Sequence, residues 1–136
     1  MADERAFSVE VITPDRVFYE GEAIMLELCT TEGEIGILKG HIPMTVVVAP
    51  GLMRIRESES ETRIAALHAG FIEILQENVR IMAELVEWPD EIDLNRAEEA
   101  RIRAERRLGE KASGTNLARA ELALKKSIVR IEAVKK

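Results

Sequence analysis

The chain has 136 residues, 46% apolar and 32% charged, a balance that fits a folded soluble protein and excludes a disordered one. Its net charge of -6 hides a division: residues 1–88 carry 16 acidic and 7 basic side chains, whereas residues 89–136 carry 9 acidic and 12 basic. An acidic body argues against a nucleic-acid partner, whose phosphates attract Lys and Arg, while the mildly basic remainder suits an anion or an acidic protein surface.

The opening "MADERAFSVEV" lacks the basic-then-apolar order of a secretory signal. No uninterrupted apolar run approaches the roughly 20 residues that span a bilayer, so membrane association is expected only through partners. In "FSVEV", Phe7, Val9 and Val11 alternate with Ser8 and Glu10, the period of a half-buried strand. "TPDR" supplies a turn. "AIMLELC" sets Ile24, Leu26 and Leu28 on one face, with Met25, Glu27 and Cys29 on the other. The single cysteine cannot form an internal disulfide, which suggests a reducing compartment and a sheet position for Cys29.

"TEGEIGILKGHIPM" follows, with Gly33, Gly36 and Gly40 outside any phosphate-loop spacing. Turn geometry is the plainer use of these glycines. His41 has acids nearby in Glu32 and Glu34, but no nucleophile elbow or metal-ligand set accompanies it, and His68 is the only other histidine. No catalytic or metal residue is therefore assigned. Glu34 and His41 fit polar contacts presented on a rigid edge. "TVVVAPG", then "LMRIR" and "TRIAAL" around the polar "ESESE", then "GFIEIL" and "VRIMAELV" around "QEN", complete the strand-like series. Many short strands with frequent turns predict an antiparallel sandwich over residues 1–88.

The period changes at "EWPDEID". Asp90 or Asp93 can cap a helix start, and Leu94–Leu108 holds strong helix formers without Pro or Gly. Leu94, Ala97, Ala104 and Leu108 share a face that Arg101 interrupts. "GEKASGTN" is a break, with Gly109, Ser113, Gly114 and Thr115 available to end one helix and cap the next. A second stripe, Leu117, Ala120, Leu124, Ile128 and Ile131, predicts a partner helix. Residues 89–136 thus read as a two-helix antiparallel hairpin, weakly held because its first seam is mostly alanine. Asp93 and Arg96 are neighbours on one helix, and Arg103, Lys126 and Arg130 could meet Arg96 across the hairpin. Clustered cations of this kind suit a phosphate or an acidic protein.

Taken in order, "VEVITPDRVFYEGEA", "TEGEIGILKGHIPMTVVVAPG", "HAGFIEIL" and "IDLNRAEEARIRAERRL" resemble the epsilon subunit of the F-type ATP synthase along nearly the whole chain. The resemblance implies a ten-stranded β-sandwich followed by a helical hairpin, in a non-catalytic rotor part of the proton-driven central stalk. It also implies a sandwich that packs against the gamma subunit and the membrane c-ring, with Glu34 and His41 in the ring-facing region. The hairpin would fold on the sandwich or extend toward the alpha and beta subunits, where it restrains ATP hydrolysis. No cofactor is required, but some bacterial members bind regulatory ATP through a motif similar to Ile92-Asp93-Leu94-Asn95-Arg96-Ala97. Carrying the remaining ligands across by motif gives Glu87, Arg103, Lys126 and Arg130, where lysine at 126 replaces the family's arginine and loses its planar fork. The intact motif and the absence of a mitochondrial-type leader imply a bacterial protein on the cytoplasmic face of the plasma membrane. A stand-alone nucleotide-sensing module is the alternative.

Overall fold

A computed structural model describes residues 3–110 and 116–135. Ten strands come first: β1 (Phe7–Ile12), β2 (Val17–Ala23), β3 (Met25–Thr30), β4 (Gly33–Ile37), β5 (Met44–Val48), β6 (Gly51–Arg56), β7 (Thr62–Leu67), β8 (Gly70–Ile74), β9 (Asn78–Ala83) and β10 (Val86–Glu87). A single 3-10 turn at Pro89–Glu91 leads into helices α1 (Leu94–Glu110) and α2 (Leu117–Lys135).

The strands form two layers. β10, β7, β6, β3 and β4 are neighbours in one, and β5, β8, β9, β1 and β2 in the other, with β3 and β5 joined only where Thr30 pairs with Val48. Alternation explains the packing: Phe7, Val9 and Val11 point inward with Leu26, Leu28, Ile55, Ile72, Ile74 and Ile81, all nearly or fully buried. Such a core closes between the sheets because every second residue of each strand is apolar.

Two sequence expectations change in detail. Neighbouring strands are antiparallel except β1 and β9, which run parallel with Val9 opposite Val79 and Val11 opposite Ile81. Alternation specifies which face a strand buries but not the direction of a partner seventy residues away. The second correction concerns α2. Ala120 is buried, yet Leu117 and Ile128 remain 45% and 39% exposed, and burial falls on Ala120, Ser127, Val129 and Ala133. The helix contacts two surfaces, α1 and the outer face of β6–β7, so its buried residues do not follow one stripe. Val129 and Ala133 rest on Leu52 and Ala66 of the sheet.

α1 packs almost wholly on α2 through Ala97 and Ala104, as its alanine seam requires. Arg101 tolerates its place on that face by pairing with Glu98 and Glu105, at 3.1 and 2.8 Å. Gly109 does not end the helix but lies within α1. Ser113, Gly114 and Thr115 lie outside the described residues. α2 is capped instead by Asn116, whose Oδ1 accepts the Arg119 amide at 3.0 Å.

Candidate functional site

Where the second helix lies over the end of the sandwich, a cavity of about 340 Å³ opens between three elements. Glu87 of β10 forms one wall, Asp93 and the α1 residues Arg96, Ala97 and Arg103 another, and Arg130 of α2 the third. Six of the seven residues carried over as nucleotide ligands therefore meet in one place. Lys126 is the exception: it lies one helical turn from Arg130, half-buried, and does not line the cavity. Ile92, the first residue of the motif, also lines it, and sequence reasoning missed only Glu91 and Ala100, which complete the lining. Position beside the motif is the only signal that could have found them.

Each charge has a local cause. Asp93 caps α1, its Oδ1 accepting the Arg96 amide at 3.1 Å while its carbonyl accepts that of Ala97 at 3.0 Å. Glu91 is held by Arg16 and by the Trp88 amide, both at 2.9 Å, and these bonds keep its carboxyl below the usual range. Trp88, stacked on Phe18 with ring centres 4.3 Å apart, anchors the chain where it leaves the sheet.

Glu87 is the centre of the site. Its Oε1 accepts Arg130 Nε–H at 2.7 Å and His68 Nε2–H at 3.1 Å. Burial pushes this carboxyl up, but the His68 and Arg130 hydrogen bonds outweigh it and hold the group below its ordinary value. Among the described residues, Arg96 and Arg103 have no carboxylate within 4.0 Å, so two guanidinium groups border the cavity uncompensated. Converging guanidinium forks with an oriented carboxylate suit a ligand bearing phosphate at one end and hydrogen-bond donors at the other.

The proposed ring-facing residues sit apart. Exposed Glu34 begins β4 and lines a groove of about 270 Å³ with Cys29, Gly51, Lys125 and Ile128, directly beside α2. His41 lies beyond the opposite end of β4, its Nδ1–H donating to the Ile42 carbonyl at 2.8 Å. Around His41 the loop exposes Leu38, Ile42 and Met44, with Ile42 76% accessible. Gly40 adopts φ of 82°, which a side chain would strain, and its amide donates to the Gln76 carbonyl at 2.9 Å. Among the described residues no cluster could hold a metal ion.

Comparison with known proteins resolves the identity of this arrangement. Residues 6–89 match the beta-sandwich domain of the ATP synthase delta/epsilon chain, and residues 90–135 match its long alpha-helix domain. The chain belongs to the ATP synthase delta/epsilon family. It is 40% identical over 134 residues to the ATP synthase epsilon chain of Caldanaerobacter subterraneus subsp. tengcongensis, covering 98% of this chain and 96% of that relative. It is 42% identical over 124 residues to the epsilon chain of an Exiguobacterium species, covering 90% and 91%. Among solved structures it resembles a chain of the Euglena gracilis mitochondrial ATP synthase, with a TM-score of 0.84 and 19% identity over 100% of this chain and 85% of that one. That likeness is one of fold. As a member of the family, the chain is a non-catalytic central-stalk subunit that couples rotor and head. Among the described residues no helix is long and apolar enough to cross a membrane.

Proposed function

We propose that the hairpin of residues 89–136 is a nucleotide-responsive brake on ATP hydrolysis, carried by a sandwich of residues 1–88 that joins the rotor. The chain works between the F1 head and the c-ring of the ATP synthase. In this reading the sandwich grips the gamma subunit, the His41 loop and Glu34 meet the c-ring, and the extended hairpin reaches the alpha and beta subunits. The setting is the cytoplasmic face of a bacterial plasma membrane, with protons as the coupling ion.

The observation that carries the reading is the composition of the cavity. Its walls come from β10, α1 and α2 together, so the binding surface exists only while the hairpin is folded on the sandwich. A ligand held there favours the folded form by its differential affinity for the two states. At a free concentration a hundred times its Kd, it adds about 2.7 kcal/mol to that form. ATP fits the chemistry: Arg96, Arg103 and Arg130 for the phosphates, Glu87 and Asp93 as acceptors, and Ala97 where close approach is needed. Lys126, half-buried one turn from Arg130, adds a point charge at the cavity's edge. The family membership disfavours the stand-alone sensor, since sensing is built into a stalk chain.

Removing residues after Trp88 tests the brake. Hydrolysis by the assembled enzyme is expected to rise while assembly persists, and in the intact chain inhibition should ease as ATP rises. Hydrolysis that does not change on truncation refutes the reading.

A further inference from the structure

His68 lies in the β7–β8 connection with 1% of its surface exposed, and neither the sheet core nor the ligand cavity accounts for an imidazole there. Its Nε2 is 3.1 Å from Glu87 Oε1. A carboxylate only accepts, so Nε2 carries the hydrogen. The same oxygen accepts Arg130 Nε–H at 2.7 Å. One donor reaches it from inside the sandwich and one from α2.

The opposite ring nitrogen, Nδ1, is buried with no partner among the described residues. An orphaned buried polar atom costs free energy, which an apolar side chain of similar size would avoid. Packing alone therefore does not explain His68; its value must lie in the bond to Glu87. The ring is itself well anchored. The His68 amide donates to the Leu85 carbonyl at 3.0 Å, and the Glu84 amide donates to Ala69 at 2.8 Å, tying this connection to the segment that leads into β10.

We propose that His68 is the positioning residue of the hairpin tie: it holds Glu87 Oε1 in place at the sandwich surface so that Arg130 docks onto a preordered acceptor. A glutamate free to rotate would have to be ordered each time α2 returned, and that cost weakens docking. Fixing it in advance favours the folded hairpin without any new contact to α2. The regulatory site thus extends one residue into the sandwich interior. This deepens the brake reading and rests on α2 being able to leave the sheet.

Amide hydrogen exchange on the full chain, without nucleotide, tests the tie by comparing His68→Gln with His68→Asn. The glutamine amide nitrogen can take the place of Nε2, whereas that of asparagine falls at the Nδ1 position, short of Glu87. Amides of α2 should exchange about tenfold faster in the asparagine variant, the factor that corresponds to roughly 1.4 kcal/mol for ordering one rotamer-rich side chain at docking. The glutamine variant should stay within about twofold of the parent, and β9 amides should not change in either. In a Glu87→Ala background the two variants should exchange alike. Equal α2 rates in the two single variants overturn the proposal, as does an asparagine effect that survives without Glu87. An asparagine variant that fails to fold is replaced by His68→Met, which fills the space without a donor and is judged by the same criteria. These rates are read on the isolated chain, so a hairpin that proves no brake in the assembled enzyme leaves the comparison decisive for His68.

Discussion

Val129→Ala is the most direct probe of how firmly the hairpin is held. Val129 is 5% exposed and, with Ala133, forms the apolar contact between α2 and the Leu52–Ala66 face of β6 and β7. The substitution removes two methyl groups, worth about 0.8 kcal/mol each in lost burial, and any unfilled space adds to that. Alanine is the better helix former by about 0.5 kcal/mol, which offsets part of the loss if the undocked helix frays. The net cost to docking is about 1–2 kcal/mol, a shift of about 5–30-fold toward the undocked form. Most helical stability in proteins comes from tertiary packing, so amide exchange in this 19-residue helix reports the loss of its sheet contact. Exchange should therefore quicken by that factor in α2 while β6 and β7 keep their protection. Unchanged α2 exchange would show that Val129 is not a holding contact. An equal rise in β6 and β7 would show that the hairpin and sandwich unfold together, which refutes the separable-arm argument.

Other perturbations should separate the two bodies further. Ile74→Ala, at a fully buried sandwich position, is expected to cost about 2–5 kcal/mol and to lower the urea midpoint of the whole chain. Because Glu87 titrates below its ordinary value of 4.5 when folded, its contribution to docking is fully present above that value and is lost as pH falls through the lowered pKa. The part of α2 protection due to this carboxyl should thus be lost only in acid, and Glu87→Gln should remove that part of the fall. Arg103 makes no ion pair among the described residues, so Arg103→Ala should weaken ATP binding about tenfold by calorimetry while leaving unliganded α2 exchange unchanged.

Which parts of this architecture could be read from the sequence follows from how far each determinant reaches along the chain. Phe7, Val9 and Val11 announce a strand because period two is written in adjacent residues, and Asp93 announces a helix start because its capping partner is Arg96, three residues on. The parallel pairing of β1 with β9 is absent from any local pattern, since it depends on how the intervening strands return the chain. The exposure of Ile128 was equally hidden, because periodicity reveals an apolar face but not that α2 must serve two neighbours. His68 carried no signal either: in "LHAG" it resembles a turn residue, its partner Glu87 lies 19 positions away, and Arg130, which donates to the same oxygen, lies 62 away. Of the cavity residues, Asp93, Arg96, Arg103 and Arg130 follow from helical spacing and Glu87 and Ala97 from family resemblance, and the fold explains why they meet. Arg96 and Arg103 lie seven residues apart, two turns of one helix, which places both on the side that faces Glu87 and Arg130.

A stalk that transmits torque and, as proposed, an arm that swings would make opposite demands on one short chain. The sandwich meets the first with interlocked Ile, Leu, Val and Met side chains, so loosening any one strand exposes its neighbours. In the proposed reading the hairpin serves the second. Ala97, Ala104, Ala120 and Ala133 let backbones approach closely, yet each buries little area, and Val129 is the largest buried side chain of either helix. Enlarging those alanines would not simply strengthen the hold. Ala133→Leu, at a position 1% exposed against Ala66, would have to turn its longer side chain into the neighbouring groove lined by Ile64 and Trp88 or push α2 outward at a cost of about 1–3 kcal/mol. Small side chains therefore cap the apolar contribution to docking, and what remains is left to the Glu87–Arg130 pair and to whatever fills the cavity beside it. That division would let a ligand decide the position of the proposed arm: a bound anion worth a few kcal/mol is negligible against a sandwich core, but it is comparable to the whole apolar grip on α2.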